Sequence, residues 1–258
     1  MINTILKKIL GIFINWDNPL YSRYLYEFSR RYLDLWYGDN NFDRKTNGEY
    51  RLLSKILPNC RILFDVGANV GSYSGEALKI NPEIIIHAFE PDPRAFEKLK
   101  LVKGINTINN TAVGERRESK MFNQNPQSTH NSFHNLESNS KTIAVLVNTI
   151  DLYCREKSVD HIDFLKIDVE GHELFVLKGA DGLLKKQAID YVQFEFSGAM
   201  VEARTFLLDF IRLFDICGYD LYRIRAKDIQ KVDYFPDRER FTLTNYLAVR
   251  RGIEVTNN

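Results

Sequence analysis

The residues best suited to chemistry follow short apolar runs. The first group is Phe64-Asp65-Val66-Gly67-Ala68-Asn69-Val70-Gly71, which closes an apolar run and opens a helical pattern at Ser72. Gly67 and Gly71 can take positive φ or admit a ligand close to the backbone. A helix N-terminus presents free N–H groups to an anionic group. Glu90 ends the next apolar run, about 20 residues on, where a carboxylate accepts hydrogen bonds from ribose hydroxyls. Two nucleotide cofactors share these needs. A nicotinamide dinucleotide requires glycines at 67, 69 and 72 so that backbone can approach the pyrophosphate, but Asn69 and Ser72 occupy the last two positions. S-adenosylmethionine has no pyrophosphate, and its amino-acid ammonium suits Asp65, directly or through water. The loop is read as an S-adenosylmethionine site.

Elements must carry this loop. From Arg61 onward apolar runs alternate with helical patterns: strands at Arg61–Val66, Ile84–Phe89, Asn106–Val113, Ile143–Val147, Ile162–Ile167, Tyr191–Phe196, Tyr219–Ile224 and Thr242–Arg250. Helices are expected at 72–80, 93–102, 173–177 and 201–217. Repeated β-α-β units imply a parallel sheet with right-handed crossovers and helices on both faces. Ligands then bind at the carboxyl ends of the strands. Residues 115–142, rich in Asn, Ser, Gln and His, read as a loop or ragged hairpin, and His130 and His134 there are candidates for lining an acceptor pocket.

Residues 1–58 read as a separate helical appendage, with 59–258 as the catalytic domain. Ile2, Ile5, Leu6, Ile9, Leu10 and Phe13 form one helical stripe with Lys7 and Lys8 opposite, suited to packing, a dimer contact or a membrane surface across residues 2–16. The segment Tyr21–Tyr37, with Arg23, Arg30 and Arg31, suits a lid or a helix packed on the sheet. A short helix is expected from Glu49 to Leu57, stopped by Pro58.

Bulk properties narrow the class. Lys and Arg total 35 and Asp and Glu 34, a net charge of +1, which argues against a nucleic-acid binder. Cys60, Cys154 and Cys217 form no C-x-x-C pair and read as free thiols. No stretch reaches the ~18 apolar residues of a membrane span, so a cytoplasmic protein is expected.

Further motifs carry a family resemblance: His87-Ala88-Phe89-Glu90-Pro91-Asp92-Pro93, Asn110-Thr111-Ala112-Val113-Gly114, Val147-Asn148-Thr149-Ile150-Asp151, and Leu165-Lys166-Ile167-Asp168-Val169-Glu170-Gly171-His172-Glu173, running on to Val176-Leu177-Lys178-Gly179-Ala180. With the Phe64–Ser74 segment, these resemble the FkbM-type methyltransferases over about residues 61–198. The resemblance implies a Rossmann-like class I fold with a seven-stranded, mostly parallel sheet whose last strand is antiparallel. It also implies O-methylation of sugars, polysaccharide building blocks or polyketide-type natural products.

Site roles follow from that fold. Asp168 ends the fourth strand and faces the methyl group. Asp168, Glu170 and Glu195 form a cluster that could hold one carboxylate at raised pKa for base work, and His172 is a further candidate base. Glu173 reads as a helix-dipole acid. Candidates around the cofactor are Asp65, Gly67, Ala68, Asn69, Gly71, Tyr73, Ser74, Glu90, Pro91, Asp92, Asn110, Thr111, Ala112 and Asp168. Asp168, Glu170, His172 and Glu195 would also serve a divalent metal, although no metal is expected. Rival readings are a metal-assisted O-methyltransferase, an NAD(P)-linked oxidoreductase and a non-catalytic cofactor-binding scaffold. The expected partner is a small-molecule or glycan acceptor, with a homodimer compatible with the N-terminal helices.

Overall fold

The structure is a computed structural model that describes residues 19–124, 141–236 and 239–254, with positions 4, 5, 7, 8 and 11 beside them. The chain forms two compact units, Met1–Asn40 and Asn41–Asn258. In the first unit a helix runs over Pro19–Tyr37. Most of the expected stripe from Ile2 to Phe13, and His130 and His134, lie outside the described residues.

The boundary expected after residue 58 is displaced to residue 40. The helix Glu49–Ile56 belongs to the second unit because Leu52, Leu53, Ile56 and Leu57 pack in one core with Leu63, Ala77, Ile86 and Leu247. Asn81 fixes the turn that follows, donating from Nδ2 to the carbonyls of Leu57 at 2.8 Å and Cys60 at 2.9 Å.

Eleven strands are described: β1 (Ile62–Val66), β2 (Ile85–Phe89), β3 (Thr107–Asn109), β4 (Ala112–Val113), β5 (Glu118–Gln124), β6 (Lys141–Asn148), β7 (Ile162–Ile167), β8 (Ile189–Phe196), β9 (Tyr219–Ile224), β10 (Ile229–Lys231) and β11 (Thr244–Arg250). The main sheet has the order β10-β9-β11-β8-β7-β1-β2-β3. β1, β2, β3, β7 and β8 pair in parallel, while β11 runs antiparallel to both β8 and β9. The expected α/β class, mostly parallel sheet and reversed final strand are all present. An eighth strand, β10, is added because the Arg225 guanidinium clamps the Asp228 carboxylate at 2.6 Å and folds the chain back on β9. Apolar residues on both faces of the central strands explain the two cores that flank the sheet.

Three other elements depart from expectation. The third strand splits: Asn110 turns its Nδ2 onto the Glu90 carbonyl at 2.8 Å, and β4 leaves the ladder for a second sheet of order β4-β6-β5. In that sheet β5 and β6 make the hairpin, with 125–140 outside the described residues. The expected helix 201–217 breaks into Ala199–Ala203 and Leu207–Cys217. Arg204 takes φ 53°, and the Asp209 carboxylate receives the Phe206 N–H at 2.9 Å, which starts a new helix. A helix not anticipated spans Ile150–Lys157 and is capped by Thr149.

Among the described residues no helix is long and apolar enough to cross a membrane. The three cysteines are free and buried.

Asp151 explains part of the unanticipated helix. Its carboxylate receives the N–H groups of Gly182 at 2.7 Å and Leu183 at 3.0 Å, capping the helix Asp181–Lys185 from another element. Replacing Asp151 with Ala strands both donors and should lower the unfolding free energy by about 1–3 kcal/mol, read by urea denaturation; an unchanged midpoint would remove this cap from the fold's supports.

Candidate active site at the carboxyl edge of the sheet

β1 delivers Asp65 and Val66 to the carboxyl edge of the sheet, and the chain turns at Gly67. This residue has φ 81°, and a Cβ here would lie 1.8 Å from the Asp168 carbonyl oxygen. Only glycine lets the loop after β1 touch the turn after β7. The N–H groups of Gly67 and Ala68 both bond the Phe89 carbonyl at 3.0 Å. The Asn69 N–H reaches Glu90 Oε2 at 2.8 Å, and the Asp92 N–H reaches Glu90 Oε1 at 2.8 Å. Glu90 is thus a wedge between the loop and the turn after β2.

Glu90 is 5% exposed. Burial pushes its pKa up to about 7, although the two N–H groups oppose the rise. Each carboxylate oxygen keeps a second lone pair, so the group fits a ribose diol. The helix Ser72–Ile80 begins directly beyond the loop.

Several residues expected beside the cofactor point inward instead. Asp65 is buried and accepts from Ser74 Oγ at 2.6 Å, so it braces the first turn of the helix. Tyr73 is buried, and its hydroxyl donates to Gln193 Oε1 at 2.8 Å. Asp92 caps the helix Pro93–Leu99 and binds Arg94 and Gln124. Ala68 and Ala112 pack in separate apolar clusters. A helix turn alternates exposed and buried positions, and adjacency to the loop does not reveal which face a side chain takes. Asn110 holds the Glu90 and Pro91 carbonyls, while Pro91 and Thr111 are half-buried.

The turn after β7 carries the strongest electrostatics. Lys166 is buried at 1% exposure. Its Nζ donates to Asp168 Oδ2 at 2.9 Å, and Arg44 Nη2 reaches the same oxygen at 3.2 Å. Both cations also face the Tyr73 ring, at 5.1 Å and 5.9 Å from its centroid. From Tyr73 the polar path runs through Gln193 to Glu49 Oε2 at 2.8 Å. Asn47 and Asn245 donate to Glu49 Oε1 at 2.7 and 3.1 Å. Every one of these buried groups has a partner, as burial requires.

The acids divide by charge state. Burial opposes ionisation of Asp168, but Lys166 and Arg44 outweigh it and hold its pKa below the ordinary carboxylate value. Glu170 is pushed up to about 8, by burial first and then by Asp168 and Glu173. Glu195, at the end of the adjacent strand, is raised well above its ordinary value by burial and by Asp168 and Glu170. Glu173 rises to about 7 through burial; its Oε1 receives the Val169 and Gly171 N–H groups, so it ties the turn together. Glu170 stands at φ 53° and Gly171 at φ 97°. A left-handed non-glycine residue beside a cluster of acids is strain of the kind kept at functional sites.

His172, the further candidate base, packs against apolar neighbours. It is 4% exposed, stacks on Phe175 with centroids 4.4 Å apart, and lies against Gly114, so it forms part of the wall. Asp168, Glu170, His172 and Glu195 do not converge as ligands. Among the described residues, the group whose ligand atoms lie within 4.8 Å of one another is His161, Asp163 and Asp190, at the amino ends of β7 and β8. There Arg250 and the N–H groups of Arg61 and Ile62 already bind the carboxylates.

Arg44, Glu49, Gln193 and Asn245 were not legible as site residues. Lys166 was, in principle: a lysine inside the apolar run Ile162–Ile167 must be paired or exposed.

Comparison with known proteins identifies the family. The model of the methyltransferase FkbM domain matches residues 65–221. The 2-O-methyltransferase NoeI of Sinorhizobium fredii is 25% identical over 162 residues, covering 55% of this chain and 65% of that protein. The hexuronic acid methyltransferase AglP of Haloferax volcanii is 28% identical over 156 residues, covering 58% of this chain and 62% of that protein. The chain therefore spans a little under two thirds of the length of the curated relatives it matches. Among solved structures, the methyltransferase FkbM from Methylobacillus flagellatus KT is 19% identical with a TM-score of 0.46, covering 73% of this chain and 43% of that one. The matched segment takes in Asp65, Glu90, Asp168 and Glu195 and more than half of the chain, and the chain belongs to the FkbM family of methyltransferases.

Proposed function

We propose that this protein transfers the methyl group of S-adenosylmethionine to a hydroxyl of a sugar or other glycan building block. The observation that carries the reading is the contact at Gly67, which brings the loop after β1 against the turn after β7, where Asp168 is held ionised and Glu170, with Glu195 on the adjacent strand, holds its proton more tightly. The name of AglP gives a hexuronic acid and that of NoeI a 2-oxygen; the first supports a sugar acceptor and the second an oxygen as the methylated atom.

The bound cofactor supplies an electrophilic methyl on sulfonium, so the protein's work is binding, alignment and proton handling. The backbone of Gly67–Gly71 and the Glu90 carboxylate would hold it. Asp168, ionised by Lys166 and Arg44, offers a fixed acceptor for the substrate hydroxyl. Both cations sit on Oδ2 of Asp168, and the reading assigns the charge role to these side chains. Glu170, in the fraction that is ionised near its pKa of about 8, takes the hydroxyl proton as the carbon–oxygen bond forms. Release of S-adenosylhomocysteine from S-adenosylmethionine, measured across a panel of sugars, hexuronic acids and amines, tests the class of acceptor; turnover with amines alone would overturn it.

Two outcomes follow. Ribose hydroxyls favour the ionised form of Glu90, so binding of S-adenosylhomocysteine should release a proton. Affinity should strengthen as pH rises through about 7, and below that fall by about tenfold per pH unit. Calorimetry of the wild type against Glu90→Gln checks this, and identical pH profiles for the two would refute it. Glu170→Gln should cost about 10²- to 10⁴-fold in kcat and abolish the rise in rate toward pH 8, with cofactor affinity unchanged; a rate within a few-fold of wild type would remove Glu170 from the mechanism.

A further inference from the structure

We infer that the helix Pro19–Tyr37 is a docking surface for the headgroup layer of a phospholipid bilayer. At about 100° per residue, its five charged residues, Arg23, Glu27, Arg30, Arg31 and Asp34, fall within one arc of about 100°. The opposite arc, about 200° wide and about 28 Å long, is made of aromatic and aliphatic side chains with Ser22 and Ser29 between them. Six of these, Tyr24, Tyr26, Phe28, Tyr32, Leu35 and Trp36, are exposed, from 56% for Tyr32 to 84% for Leu35. An apolar face of this size in water marks an interaction site.

Its breadth selects the occupant. A partner helix buries a seam of two positions in seven and would leave roughly half of this arc wet. A bilayer surface covers a whole half-cylinder. Composition agrees: Tyr and Trp are the residues of the membrane–water interface, where an apolar ring meets a wet edge. Charge placement agrees as well. Within the polar arc the acids Glu27 and Asp34, both half-buried, lie at the centre, away from the apolar face. Arg30 and Arg31 lie at its two borders, beside Tyr26 and Tyr24, where a guanidinium on a long stem reaches lipid phosphates while its methylenes stay in the apolar layer. The hydroxyl of Ser29 is already spent on the Leu25 carbonyl at 2.7 Å, so covering it strands no donor. The ion pair between Arg30 and Glu27, at 2.9 Å on the exposed side, is weak enough to exchange for a phosphate. Five ionised residues in 19 keep this helix in the interface rather than across the bilayer.

The experiment is co-flotation of the full chain with vesicles of phosphatidylcholine, with and without phosphatidylglycerol. The chain has two tryptophans, so a Trp16→Phe background leaves Trp36 as the reporter of insertion. Binding with a blue shift of Trp36 emission is expected. Phe28→Glu and Trp36→Glu should each lower vesicle affinity about tenfold or more, the second read by flotation alone. Reversing Arg30 and Arg31 to Glu should weaken binding to phosphatidylglycerol vesicles more than to pure phosphatidylcholine. The unfolding transition of each variant, unchanged, shows that the second unit is intact. No flotation at millimolar lipid would overturn the inference. So would a dimer that Trp36→Glu dissociates in a protein that ignores vesicles, because the occupant would then be a second copy.

Discussion

A buried ammonium beside a carboxylate holds this site together. Lys166 lies in the middle of the sheet, out of water, and such a cation persists only if its charge is answered nearby. Asp168, two residues on, answers it at 2.9 Å. Arg44 joins from a segment 124 residues earlier in the chain, and the ring of Tyr73 lies under both cations. The pair fixes geometry: Arg44 and Lys166 meet on one Asp168 oxygen at the end of β7, and both cations pack over the Tyr73 ring of the helix Ser72–Ile80. It also sets the proton chemistry. With Asp168 kept ionised, the neighbouring Glu170 and Glu195 face a full negative charge in a poorly solvated place, and each holds its proton more tightly. One carboxylate held ionised thus raises the proton affinity of its two neighbours.

Much of this was legible in the sequence because it is written in local pattern. The apolar runs that became β1, β2, β7, β8 and β11 needed only length and flanking turn residues. The two glycines of the loop and Glu90 needed only their spacing. The failures have a common cause. Arg44 and Glu49 were assigned to an appendage because their partners, Asp168, Gln193 and Asn245, are more than a hundred residues away. Adjacency to the loop suggests the cofactor for Tyr73, Ser74 and Asp92, and their side chains bond Gln193, Asp65 and the start of the Pro93 helix, which adjacency does not reveal. The breaks at Asn110 and Arg204 come from side-chain bonds and a left-handed residue that periodicity averages over.

His172 shows the same limit from the other side. Residue type made it a candidate base, but stacking on Phe175 and contact with Gly114 make it a packing residue. Chemistry-bearing residue types nominate a site; burial and partners decide which of them act.

The reversed last strand has a consequence for how the protein comes into being. β11 inserts between β8 and β9, and its Asn245 completes the set of donors on Glu49, 196 residues upstream. On the ribosome, β8 and β9 emerge with the edges they will later share with β11 still open, and the polar path behind the site stays incomplete until residue 245 has cleared the exit tunnel. Non-local closure of this kind is slow and exposes strand edges while it waits. The candidate site is therefore among the last parts of the protein to acquire its final form.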